Sequence, residues 1–314
     1  MDPVEVLMSA GLSKEQAEAK VASMRQLLER AGVTDPEKLL QQKVQSYVAH
    51  VKRGLARFRG ICVGVTEKRD ILAGLAAQAQ AAYKENPQLA VAQGLVRVEQ
   101  DGTVIPLDNR ETWEDGTPNP NYGKPLKPVF RRTGVFICDG ELKVVQGNFD
   151  AERGKDYVFW GMESEDRVSG ARSFVEVGTV PLEQLWNLTL EAGQKSKYAV
   201  DMSQLQETKN GDMVAVIGFV ENSGPMKTGD GMWVNLIDYD SGSEIVVFSR
   251  DKDLTLPENC QAIAIGRKFV LKSPQGEQRI AIDGVVVWNP EVPMSSDLSE
   301  ELDAILLDTG DQDA

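Results

Sequence analysis

Between Lys209 and Pro290 the chain compresses five short apolar runs into about 80 residues. They read MVAVIGFVENSGP, GMWVNLIDYD, SEIVVFSR, QAIAIGRKFVLK and RIAIDGVVVWNP. Each reads as a short strand, and most are joined by short turns. The pattern therefore predicts a small closed barrel or sandwich. In the second run Trp233, Asn235, Ile237 and Tyr239 share one face of a strand, and Val234 and Leu236 share the other. In the third, Val246, Phe248 and Arg250 alternate against Ile245 and Val247. If the Val234/Leu236 face lines the interior, Trp233, Phe248 and Arg250 fall on an outer face. Lys227 then lies in the loop PMKTGDG above them, with Tyr239 beside the next turn. The opposing reading puts Trp233 and Phe248 in the core, and one residue of register separates the two. Trp288, closing the last run, reads as core or barrel end.

A second, looser β pattern precedes this one. Residues 1–54 read as a helical unit: Ser13 with Gln16 forms a capping box, Gly32 closes the helix, and Thr34 with Glu37 forms a second box around Pro36. From 55 to 183 about five strands are expected. Asp139-Gly140 forms one hairpin turn, and an insertion over 67–128 holds a helix near 70–86 followed by a long turn-rich loop. Residues 184–204 read as a polar connector. Three places interleave basic and aromatic side chains: Arg57, Phe58 and Arg59; Phe130, Arg131 and Arg132; and Trp160 with Arg172, near Phe159. Such interleaving suits a groove that stacks bases and follows phosphates; it equally suits a charged strand edge that resists aggregation.

The stretch GDMVAVIGFVENSGPMKTGDGMWVNLIDYDSGSEIVVFSR, with Gly218 in its first strand and the bend at Asp240-Ser241-Gly242, resembles the oligonucleotide/oligosaccharide-binding (OB) fold. The family it is similar to is the archaeal and viral single-stranded DNA-binding proteins related to replication protein A. The resemblance covers about 80 residues clearly and about 120 more loosely. It implies a mainly β chain with a helical N-terminal unit and two OB barrels, at 55–183 and 205–290, the first carrying the insertion. It also implies a protein that coats single-stranded DNA, or RNA, in replication, recombination and repair, with little sequence preference and no cofactor. Many members carry a four-ligand zinc module near the C-terminus, and its ligands are missing here.

Charge argues against that partner until its distribution is considered. The formal net charge is −14, but residues 291–314 hold eight acidic and no basic side chains, leaving −6 for the body. Lys52, Arg53, Arg57 and Arg59 form one basic cluster, and Lys124, Lys127, Arg131 and Arg132 another. In the acidic tail Leu298, Leu302, Ile305 and Leu306 follow helical spacing, a stripe suited to recruiting replication or repair proteins. An OB-fold interaction scaffold acting through that tail is the first rival reading. An enzyme is the second, a nuclease holding magnesium on carboxylates such as Glu114, Asp115, Glu163, Glu165 and Asp166. Their spacing matches no metal site. The single histidine, His50, is expected on a helix surface, and Cys62, Cys138 and Cys260 as small core residues, so thiol, triad and zinc chemistry lack the residues they need. With no apolar run near the roughly eighteen residues of a membrane span and no leader pattern, cytoplasmic residence is expected.

Overall fold

The computed structural model describes residues 2–66, 68–112, 117–164, 167–227, 229, 231–251, 254, 256–272 and 278–290. These form two compact units, Met1–Thr66 with Gly134–Ala314, and Glu67–Thr133. The first begins with helices α1 (Pro3–Met8), α2 (Lys14–Arg30) and α3 (Pro36–Lys52). Ser13 and Gln16 close a reciprocal capping box on α2, and Gly32 adopts φ +64° beyond its end. At α3 the cap is Asp35 rather than Thr34: its carboxylate accepts the Lys38 N–H at 3.1 Å, which puts Pro36 at the first helical position. Leu7, Ala17, Val21, Leu40, Val44 and Val48 bury the three helices on one another.

Strand β1 (Ala56–Val65) enters the first sheet, and the chain then leaves for the smaller unit. That unit contains β2 (Arg69–Asp70), α4 (Ala73–Glu85), α5 (Pro87–Ala92), β3 (Val96–Val98) and β4 (Val104–Pro106). Part of the expected long loop is therefore a β3–β4 hairpin, packed on α4 and α5 through Ala79, Ala90 and Val96. Buried Asp108 organises the following segment: Arg110 donates to its two oxygens from Nε and Nη2 at 2.9 and 2.7 Å. The Arg110 guanidinium holds the Asp108 carboxyl down at about 2. A depressed carboxyl contributes stability above its unfolded value and loses it as pH falls through the folded one. The segment should lose roughly 2 kcal/mol between about pH 4 and about pH 2. Hydrogen exchange of 106–126 against pH measures this, and Asp108→Asn should flatten the dependence.

The chain returns as β5 (Phe130–Cys138), β6 (Glu141–Gly147), β7 (Lys155–Glu163) and β8 (Arg167–Thr179). Asp139 and Gly140, at φ +52° and +79°, make the tight β5–β6 turn. Hydrogen-bonded neighbours run β1-β7-β8-β6-β5, and β1 also pairs with β5, so the order returns on itself. Phe136, Phe149, Tyr157, Phe159 and Phe174 fill the inside. Helix α6 (Leu182–Lys195) follows where the sequence was read as a connector. A short 3₁₀ helix (Met202–Glu207) leads to β9 (Met213–Pro225), β10 (Met232–Asp238), β11 (Ser243–Ser249), β12 (Gln261–Lys272) and β13 (Gln278–Trp288). These five close a barrel in the order β10-β11-β13-β12-β9 around Val216, Val234, Leu236, Val247, Ala264 and Ile282.

The outer side of the first sheet is not free. Val63, Val135 and Ile137 pack with Leu185 and Trp186 of α6 and with Ile263, Ile265, Val285 and Val287 of the barrel. Glycines permit this approach. A Cβ on Gly193 would lie 2.3 Å from the Ile263 side chain, and one on Gly64 would lie 2.9 Å from Val285. Arg153 bridges the same seam. Its guanidinium pairs with Asp251 at 2.7 Å and lies 5.2 Å from the Trp288 ring centre. Burial lowers the arginine's pKa, and Asp251 opposes that shift. Cys62, Cys138 and Cys260 are all buried; burial pushes the thiols of Cys138 and Cys260 up to about 12 and about 11, which makes them poor nucleophiles.

Candidate nucleic-acid interface

Register places the two aromatic residues of β10 and β11 side by side. Val234 and Leu236 are fully buried in the barrel, which turns Trp233, Asn235 and Ile237 outward. Trp233 is the cross-strand partner of Phe248 on one side and of Gly224 on the other. Gly224 fixes the indole: a Cβ there would meet Trp233 ring atoms at 2.8, 3.0 and 3.1 Å, so the ring lies flat across the neighbouring strand. Trp233 and Phe248 are both half-buried. Phe248 in turn rests 5.9 Å from Phe269 of β12, whose register partner Ala281 is fully buried. The surface thus offers an indole face and a phenyl pair in one row. Substituting Gly224→Ala should dislodge the indole. In a Trp233→Phe background that substitution should leave the emission spectrum unchanged, whereas in the native background it should shift it to the red.

Cations flank the row at its β9–β10 end. The loop between those strands folds back on itself, with the Met226 N–H donating to the Gly231 carbonyl at 2.9 Å and the Gly229 N–H to Met226 at 2.8 Å. Lys227 projects from it, exposed. Gly231 is required at φ +136°, because a Cβ there would sit 2.2 Å from the Ser249 carbonyl. Arg250 continues the outward alternation beyond Phe248; it is half-buried, and its Nε makes no hydrogen bond among the described residues. Tyr239 lies at the other end of β10, 56% exposed, with its ring 5.3 Å from Phe219 and its hydroxyl donating to Asn259 at 3.3 Å. The turn there is held by the Asp238 carboxylate, which accepts from the Asp240 N–H and the Ser241 hydroxyl. Sequence reasoning missed Gly224 and Phe269. The alternation Ile263, Ile265, Arg267, Phe269 along β12 carried the second, and nothing local carried the first.

The first sheet distributes its residues differently. Phe58 stacks on Phe159 at 5.5 Å and joins the inner cluster. Arg59 donates from Nε and Nη2 to one Asp156 oxygen at 2.9 and 2.7 Å. Trp160 is covered by α3, with His50 stacked on it at 4.9 Å and Tyr47 edge-on at 5.3 Å. His50 is therefore part of the contact that seats α3 and not a free surface residue. These partners occupy the faces of Phe58 and Trp160 that a groove would use. Arg57 and Arg172 are the two register partners of Trp160. Arg57 is exposed and Arg172 half-exposed, its Nε donating to the Gly170 carbonyl at 3.3 Å. Phe130, Arg131 and Arg132 lie in the smaller unit. There β2 pairs Asp70 with Phe130 and Arg69 with Arg131, leaving Phe130 47% exposed and Arg132 half-buried. Leu298, Leu302, Ile305 and Leu306 lie outside the described residues, as do Glu114, Asp115, Glu165 and Asp166. Among the described residues no group of three His, Cys, Asp or Glu is placed to hold a metal ion, and no helix is long and apolar enough to cross a membrane.

No family model matches this chain, and no curated protein does. Three solved structures show what it is similar to. A replication protein A heterotrimer bound to single-stranded DNA aligns at 9% identity over 80% of this chain, with TM-score 0.37; this chain spans 52% of that one. The HINb domain of p204 aligns at 11% identity over 74% of this chain and 96% of its own, with TM-score 0.31. The Stn1–Ten1 complex of S. pombe aligns at 16% identity over 36% of this chain and 95% of its own, with TM-score 0.22. These scores are too low for the likeness to bear on function.

Proposed function

We propose that the protein binds single-stranded DNA on the outer face of β10 and β11, as a non-catalytic OB-fold protein. The closed barrel pairs its third and fifth strands in parallel (β11 with β13) and the others antiparallel, an arrangement proper to OB folds. The first sheet repeats this order, with β6 parallel to β8, and we read it as a second OB barrel. In such barrels the second and third strands and the loops beside them hold oligonucleotides. Here those strands are β10 and β11. In the first sheet they are β5 and β6, whose outer side is covered by α6 and by the closed β9–β13 barrel. One barrel thus retains an open face.

The carrying observation is Trp233, laid flat over Gly224 beside Phe248 and flanked by Lys227 and Arg250. Flat rings suit bases of any identity, and cations follow the phosphates, so sequence preference should be small. Coating of exposed strands in replication, recombination or repair is the role this fits, in the cytoplasm, with RNA as a weaker ligand and with partner proteins recruited by the acidic tail. Fluorescence anisotropy with labelled oligo-dT, oligo-rU and duplex tests this reading. Binding to oligo-dT, weakened by salt and stronger than to duplex, is expected; no binding to oligo-dT at low salt would overturn it.

A further inference from the structure

Register sets three rows across the outer face of β9, β10 and β11. The first is Gly224, Trp233 and Phe248, and the second is Asn222, Asn235 and Val246. The third is Phe219, Ile237 and Glu244, with Tyr239 against Phe219. Two carboxamides thus sit opposite each other in the middle of the face, one row from the indole. On local grounds they are out of place. Asparagine is depleted in strands and favoured in turns and caps, where it serves the backbone. Here both residues lie inside strands, Asn222 exposed and Asn235 half-buried. Neither side chain makes a hydrogen bond among the described residues. The ladder also breaks at this point: a β-bulge between Asn235 and Leu236 leaves Glu221 as the extra residue of β9. Such bulges re-aim the side chains beside them. A merely solvated face needs none of this, since threonine would keep it wet and suit a strand better.

We infer that Asn222 and Asn235 hydrogen-bond the edge of the base that stacks on Trp233. The inference rests on the single-strand reading of the β10–β11 face. The indole lies flat across Gly224, so a base laid on it is parallel to the sheet and points its edges along it. Residues two apart on a strand are separated by roughly 6.6 Å, and neighbouring strands by roughly 4.8 Å. Both amides therefore come beside the edge of a base centred over Gly224 and Trp233. Each carboxamide offers an acceptor and two donors, and turning its last torsion exchanges them. A carboxylate could only accept and a guanidinium only donate. Thymine presents a donor flanked by two acceptors, whereas adenine and cytosine each present an amino donor beside a ring acceptor. A turning amide meets each of these edges, which adds affinity to stacking without selecting a sequence.

The test compares oligo-dT of about 8 nucleotides, within the span of one barrel, with the same strand carrying difluorotoluene in place of thymine. That analogue has thymine's shape and stacks, but forms no strong hydrogen bonds. Both strands are titrated against the full chain, its Asn222→Ala/Asn235→Ala variant and Trp233→Ala. Each hydrogen bond is worth roughly 2- to 12-fold in affinity. The preference for thymine over the analogue should therefore be roughly tenfold greater in wild type than in the amide variant. Oligo-dA and oligo-dC should lose affinity in that variant to a similar degree. The salt slope should stay the same, since neutral amides release no counterions. Asn222→Val/Asn235→Val, which keeps strand propensity without hydrogen bonds, repeats the test and should behave alike. An equal preference for thymine in wild type and both amide variants would overturn the inference. A loss shared equally by thymine and analogue would overturn it too, by assigning the amides to sugar and phosphate. Failure of the β10–β11 reading looks different: Trp233→Ala would then bind oligo-dT as tightly as wild type.

Discussion

Trp233→Ala is expected to weaken binding of oligo-dT by roughly 1–3 kcal/mol, about 5- to 150-fold, and to remove most of the tryptophan quenching that accompanies binding. The loss should fall on affinity and leave the salt slope near its original value, because stacking does not release counterions. The substitution removes a half-buried side chain that lies on the outside of the barrel, so thermal stability should change little. Trp233→Phe keeps a flat ring and should recover much of the affinity. Equal binding by wild type and Trp233→Ala would place the bases elsewhere, whatever the total affinity.

A larger effect on stability is expected inside the first sheet. Phe136 is fully buried, with the rings of Phe159, Phe174, Phe149 and Tyr157 at 5.3, 5.7, 6.0 and 6.5 Å. Phe136→Ala should cost about 3–5 kcal/mol, through lost transfer energy and a cavity that interlocked rings cannot collapse to fill. That is a large share of the 5–15 kcal/mol typical of a folded domain. Urea unfolding by circular dichroism measures it. A fall below about 1 kcal/mol would mean that the cluster is loosely packed. Because β5 carries Phe136 inward and Val135 and Ile137 against α6 and the closed barrel, the damage should spread across the seam.

Alternation was the dependable signal in the sequence. It set Val234 and Leu236 on one face and Trp233 and Phe248 on the other but left open which face lines the interior, a choice the structure makes for Val234 and Leu236; the Asp139-Gly140 pair marked a turn that adopts the positive φ angles such turns need. Five consecutive buried residues in β5, from Gly134 to Cys138, carried a further message, since a strand apolar on both faces must be covered on both. Helix α6 was missed although its signal is present. Leu182, Leu185, Trp186, Thr189, Ala192 and Gly193 recur at helical spacing, and all but Leu182 are buried, but the polar residues between them and Gly193 hid the stripe. Contacts between distant segments were not legible. Nothing near Trp160 announces that His50, more than one hundred residues earlier, stacks on it, and nothing near Trp233 announces Gly224 beneath it. Basic and aromatic interleaving at Arg57–Arg59 suited a groove and a charged strand edge alike, whereas an ion pair and a packed core account for Arg59 and Phe58. Local pattern specifies which side of a strand a residue occupies; what covers that side is decided by the rest of the chain.

Ultraviolet crosslinking of oligo-dT to the full chain, mapped by mass spectrometry, locates the bound strand on the protein. Crosslinked peptides are expected from β10 and β11, at Trp233 or Phe248, lost when excess unlabelled oligo-dT competes. Crosslinks confined to the first sheet or to the N-terminal helices, with β10 and β11 unmodified, would contradict it.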